Sequence, residues 1–143
     1  MPLDINRGVL YENTAESVKP TRAMVRTILT AWEYGEDTIE TAQLIASELS
    51  TNAVVHARRS KHFRLVCYTA MTVLIIGIAD EDHRPPLMAA ATTEDEGGRG
   101  LTLVEALADE WYWEPLPGGK IVFACLRVER PLQAKISHPL VLT

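Results

Sequence analysis

The sequence predicts an α+β fold, a two-layer sandwich in which a mostly antiparallel sheet carries its helices on one face. Three observations predict it: two helical patterns follow one another near the N-terminus, two β-rich runs then lie close enough to form a hairpin, and two further strands come after one short helix. Helices and strands are thus grouped rather than alternated, which disfavours a doubly wound sheet. With 143 residues, 47% of them hydrophobic, the chain can bury one core without disulfides or structural metal. The expected organisation is one domain over residues 1–129 and a C-terminal tail, 130–143, in which Pro131 and Pro139 interrupt any period.

The elements follow in order. A short strand is expected from Val9 to Glu12. Ser17 can cap a helix running to about Trp32, with an apolar stripe of Val18, Met24 (or Val25), Ile28 and Leu29, and Gly35 ends it. Asp37 reads as the cap of a second helix through about Ala57, whose Ile39, Ala42, Ala46, Leu49 and Ala53 keep the three-four spacing of a packed face. Phe63 to Tyr68 and Val73 to Ala79 read as a hairpin, the second run apolar except at Gly77, as a central strand should be. From Glu81 to Gly98 charge, Pro85-Pro86 and small residues indicate a loop. Leu101, Val104, Leu107 and Ala108 set a helix starting at Gly100; a strand at Trp111-Tyr112-Trp113, a turn over 115–119 and a strand from Lys120 to Val128 complete the sheet.

Composition excludes several classes. A net charge of -5 leaves no electrostatic footprint for nucleic acid, and the one basic cluster, Arg58-Arg59-Ser60-Lys61, reads as a solvated turn. No apolar run approaches the roughly 20 residues of a membrane helix, and the N-terminus lacks the pattern of a secretory leader. Cys67 and Cys125, far apart within apolar runs, are expected as buried thiols, and a cytoplasmic setting fits.

Three constellations carry chemistry. Glu48, Asn52 and His56 recur at i, i+4 and i+8 on the second helix, each step displaced about 40° around the axis, so all three point one way. An amide oxygen there could hold a hydrated Mg²⁺, which needs few protein ligands, and a carboxylate could orient or deprotonate a nucleophile; the same row also fits the polar face of an amphipathic helix. Asp80 closes a buried strand, where a carboxylate could accept a hydrogen bond from the amino group of adenine or simply form a turn. Gly97-Gly98-Arg99-Gly100-Leu101 stands where a loop becomes a helix; glycines let backbone approach a polyphosphate, helix N-terminal amides favour its charge, and Arg99 could add a contact to a terminal phosphate. A flexible hinge explains that run equally well.

In this order the three resemble the N-box, G1 box and G2 box of the GHKL ATPase superfamily, and in particular the bacterial anti-sigma-factor serine/threonine kinases. The matching segments are Glu48 to Ala57, Ile76 to Pro86 and Gly97 to Trp111, with Gly118-Gly119-Lys120-Ile121-Val122-Phe123 resembling the final box. The resemblance implies a Bergerat fold holding ATP and Mg²⁺ under a mobile lid, here roughly Leu87 to Glu96. It implies Asn52 as Mg²⁺ ligand, Glu48 as catalytic base and Asp80 as reader of adenine, with Gly98, Arg99, Gly100 and Leu101 around the phosphates. It further implies a protein kinase that phosphorylates a serine of an antagonist protein and sequesters a sigma factor, with homodimerisation common in the family and no direct contact with nucleic acid. Arg22 and Arg26 are candidates for a partner surface. A binding module that keeps the scaffold with weak or no ATP turnover is the alternative. Asp82 and Arg84 stand where the G1 box has glycines, Ile121 where the final box has a threonine supporting the aspartate, and Glu94-Asp95-Glu96 make the lid acidic; together these are expected to weaken ATP binding.

Overall fold

The computed structural model describes residues 5–86 and 99–128, including the helical backbone of Arg99 and Gly100. The expected lid, Gly98, the boundary at 129 and the tail lie outside the described residues. The elements are β1 (Val9–Glu12), α1 (Val18–Ala31), α2 (Glu36–His56), β2 (His62–Ala70), β3 (Val73–Asp80), α3 (Arg99–Leu107), β4 (Glu110–Leu116) and β5 (Gly119–Arg127). The five strands form one sheet in the order β1-β2-β3-β5-β4, antiparallel at every pairing. This is the predicted α+β sandwich.

Strand alternation divides the sheet's side chains between two faces. Phe63, Leu65 and Cys67 of β2, Leu74, Ile76 and Ile78 of β3, and Val122, Ala124 and Leu126 of β5 share one core with the helices. Helix α1 contributes Val25, Ile28 and Leu29, α2 its predicted stripe together with Ile45, and α3 Leu101 and Val104. Val66, Ala79, Ile121, Phe123 and Cys125 form a second apolar cluster on the opposite face. Strand β5 is buried from Gly119 to Leu126, as expected for an interior strand whose two faces are both apolar. Cys67 and Cys125 are both free and buried. Val25 is fully buried while Met24 is only partly so, which settles the stripe of α1.

Helix ends differ from the sequence expectation for a backbone reason. Helix α1 closes at Ala31, and the chain reverses at Glu33, in the left-handed region at φ 67. Tyr34 N–H donates to Leu29 O (3.1 Å) and Glu33 N–H to Thr30 O (2.9 Å), the paired bonds of a Schellman motif, with Tyr34 and Leu29 both buried as its apolar contact. Gly35 therefore does not end α1; it is the extended residue that precedes α2, and Asp37 falls in that helix's first turn. Its negative charge there still complements the helix dipole. Ser17 does precede α1, but its own backbone is helical and its hydroxyl makes no bond to the helix backbone; it meets the Thr14 hydroxyl at 3.3 Å instead.

The β3–β5 register pairs Asp80 with Lys120 and Ala79 with Ile121. Gly119 makes that register possible, because a Cβ added there would lie 1.9 Å from the carbonyl oxygen of Asp80 and 2.7 Å from Glu81 Cα. The turn before it shrinks to Pro117-Gly118, with Pro115 and Leu116 in the edge strand β4, where proline is tolerated. Gly119→Ala is expected to destabilise the protein by about 1–3 kcal/mol or more, read as a lower urea midpoint. Glu33→Gly should act oppositely, relieving a left-handed non-glycine residue and raising stability by about 1 kcal/mol; a lowered midpoint would contradict that reading of the turn.

Candidate functional site

The C-terminal turn of α2 is held by side chains from other elements. The Asn13 amide Nδ2 donates to Ala53 O, Ala57 O and Ser60 O at 3.2–3.4 Å, and Arg84 Nη2 donates to His56 O at 3.2 Å. Arg84 thus meets a carbonyl that the helix end leaves open, while Asn13 adds second contacts to Ala53 O and Ala57 O, which also accept the Ala57 and Ser60 N–H groups. The loop after α2 is in turn joined to the end of β3: Ser60 Oγ accepts the Glu81 N–H (2.8 Å), and Glu81 Oε1 accepts the N–H groups of Lys61 and His62 (2.6 and 3.1 Å). The basic cluster is thus a loop with exposed Arg58 and Arg59, as expected, though Ser60 within it is buried.

These ties bring the first two constellations together. Asn52, His56, Ala57, Asp80, Arg84, Pro85, Pro86 and Lys120 line one cavity of about 90 Å³. Asn52 is 5% exposed, and its Oδ1, like His56 Nε2, is buried with no hydrogen-bond partner among the described residues. A buried orphaned amide oxygen is costly, and a cation or a ligand donor would complete it. No cluster of three or more His, Cys, Asp or Glu side chains among the described residues is arranged for a metal, so a cation here would rest on Asn52 and on ligand oxygens, the arrangement that suits Mg²⁺. Glu48 lies one turn before Asn52, half-buried, and is not on the cavity lining. A cavity for a drug-sized ligand is about 300–1,000 Å³, so the space between these walls is too small to hold a whole molecule of that size. A roomier cavity of about 760 Å³ is lined by Ile5, Leu10, Arg64, Glu81 and Leu116 among others; it shares Asp80 with the smaller one but contains neither Asn52 nor Glu48.

The third constellation is described only in part. Helix α3 begins at Arg99, so a helix N-terminus does follow the glycine run. Leu101 is fully buried in the core, which leaves only its backbone for a ligand. Arg22 and Arg26, candidates for a partner surface, are engaged with α2: Arg22 Nη1 donates to Ser47 Oγ (2.8 Å), and Arg26 pairs with Glu36 (2.5 and 3.0 Å) and Gln43 (3.1 Å).

Asp80 ends the helix-facing row Leu74-Ile76-Ile78, and Lys120 begins the helix-facing row Val122-Ala124-Leu126. Their side chains are 3% and 4% exposed, with Lys120 Nζ 3.1 Å from Asp80 Oδ2, 3.2 Å from Asp80 Oδ1 and 3.0 Å from Asp82 O. Asp80 Oδ1 also accepts the Asp82 N–H at 2.9 Å. Burial pushes the Asp80 carboxyl up, against the lowering effect of that N–H and of the ammonium. Ile121, expected from the sequence to stand in for a group supporting Asp80, belongs to the opposite face; the group that reaches Asp80 is Lys120. Alternation along β5 carried that signal, since Lys120 has the parity of three core residues.

Asp82 and Arg84 bind each other. Arg84 Nε donates to Asp82 Oδ1 (3.0 Å) and Nη2 to Oδ2 (2.7 Å), while the N–H groups of Arg84 and Arg59 also reach the carboxylate (3.0 and 3.4 Å). The Arg84 guanidinium first, with these amides, holds the Asp82 carboxyl well below the usual carboxylate range. The two departures from the glycine pattern are therefore one bidentate clamp that fixes the loop against α2.

A family model described as a histidine kinase-like ATPase domain matches residues 11–126, from within β1 to within β5. No curated protein matches the chain.

Arg84→Ala should lower Tm by roughly a few degrees at pH 7. Because the folded-state pKa of Asp82 is depressed, its contribution is complete above the unfolded value near about pH 4 and is lost as pH falls through the folded value. The wild-type advantage should therefore shrink in melts run below about pH 4; a gap independent of pH would assign the loss to packing alone.

Proposed function

This chain belongs to the histidine kinase-like ATPase family, and on that premise we propose that it binds ATP with Mg²⁺ and acts as an anti-sigma-factor serine/threonine kinase. In this reading it transfers phosphate to a serine of an antagonist protein and sequesters a sigma factor. The observation that carries the nucleotide part is the orphaned, buried Asn52 Oδ1, lining one cavity with Asp80 and lying one helical turn from Glu48. Asn52 would hold the cation, which would neutralise phosphate charge, and Glu48 would orient the attacking hydroxyl and take its proton. Phosphoryl transfer needs mainly positioning and charge neutralisation, so this sparse set suffices chemically. The serine acceptor and the sigma factor rest on the likeness of Glu48 to Ala57 and Gly97 to Trp111 to the anti-sigma kinases.

A second reading, a binding module on the same scaffold with weak or no turnover, is favoured by the Lys120 ammonium already seated on Asp80.

Calorimetry with Mg·ATP separates the two. The kinase reading expects saturable binding that Asn52→Ala weakens at least roughly tenfold, by loss of a metal ligand. It also expects Glu48→Gln to bind ATP normally while transferring phosphate to an antagonist roughly 10²-fold or more slowly. No heat and no competition at millimolar nucleotide would leave the binding-module reading standing.

A further inference from the structure

We propose that Lys120 sets the base preference of this site: its ammonium occupies the Asp80 carboxylate, so the amino group of adenine contributes little to binding and the site discriminates weakly among purine nucleotides. The inference rests on the nucleotide-binding reading above and concerns a residue that neither the constellations nor the family match singles out.

A carboxylate selects an amino group because it offers acceptors and no donors. In this protein the acceptors of Asp80 are largely taken. Oδ1 receives the Asp82 N–H and the Lys120 ammonium, and Oδ2 lies 3.1 Å from the same ammonium. The ammonium is anchored on both sides, donating to Asp80 Oδ1 and to the carbonyl oxygen of Asp82 at 3.0 Å while its charge stays within 3.1 Å of Asp80 Oδ2. Both side chains are buried almost completely. An exocyclic amine entering the cavity would meet a positive neighbour beside the one carboxylate it needs. Binding it in full would mean moving a buried cation off its counter-ion, a step strongly opposed in a poorly solvated site. The backbone enforces the arrangement: cross-strand pairing places Lys120 opposite Asp80, and the close approach at Gly119 holds the two strand ends together. Lys120 also lines the same small cavity as Asn52 and Asp80, so its charge lies beside the carboxylate on the wall that an amine reaching Asp80 would meet.

The test compares Mg·ATP, Mg·GTP and the Mg complex of purine riboside triphosphate, which lacks the amine, by displacement of a fluorescent nucleotide from the full chain. In the wild type the three dissociation constants should agree within about threefold. Lys120→Met keeps the aliphatic stem and removes the charge; it should tighten ATP at least tenfold over wild type and leave the analogue without the amine unchanged. Circular dichroism melts report whether the variant is folded. If it is not, the three-ligand series on the wild type still decides. A wild-type preference for ATP over the amine-free analogue of tenfold or more overturns the proposal while leaving the nucleotide reading intact, as does a folded Lys120→Met that gains no affinity for ATP. Absence of binding by every nucleotide to both proteins overturns the nucleotide reading and this inference with it.

Discussion

A carboxylate and an ammonium buried side by side constrain everything around them. Removing Asp80 and Lys120 from water is costly unless each finds its partner and the remaining donors and acceptors are also met. The protein meets that demand from three directions: the pair faces itself across β3 and β5, the Asp82 carbonyl takes a further contact from the ammonium, and the Asp82 amide bonds Asp80. The chain after β3 therefore turns tightly enough to bring Asp82 back over Asp80. That turn places the Asp82 side chain where Arg84 can grip it, and Arg84 then reaches the last helical carbonyl of α2. The position of Asn52 relative to Asp80 follows from this chain of contacts.

The same chain explains how a site can depart from its family's glycine pattern and keep its shape. Glycines in such a loop admit backbone conformations or close approaches that other residues resist. Here the loop is shaped by a bidentate ion pair instead, with the carboxylate buried and the guanidinium half in water. A loop held by side-chain chemistry is more rigid than one merely permitted by glycine.

Much of the fold was legible because its signals are periodic. The three-four spacing of α2 and the apolar run of β3 follow from burying one stripe and one interior strand, and both elements lie where spacing put them. Helix ends were less legible: Gly35 looked like a terminator, but Glu33 takes the left-handed position and the Tyr34–Leu29 contact closes α1, a tertiary preference stronger than residue propensity. Within the site, Asn52 and Asp80 could be read from spacing and strand position. Lys120 and Asn13 could not be read as easily, because their roles depend on registers between elements distant in sequence. Parity along β5 put Lys120 on the core side, yet only the pairing with β3 shows what it meets. Gly98 and the expected lid lie outside the described residues, and of Arg99 and Gly100 only their place at the start of α3 is described.

The placement of Lys120 on β5 also has a consequence in time. Interior strands buried on both faces open only when the whole molecule does, whereas loops and edges open locally and often. Asp80 and Lys120 are paired at the ends of two interior strands, with both side chains buried. Globally unfolded molecules make up about one in a thousand to one in a million of a stable population. A ligand arriving at the cavity therefore cannot wait for the sheet to part; it meets the ion pair formed, in nearly every encounter, and must bind beside it or displace it from within the closed protein.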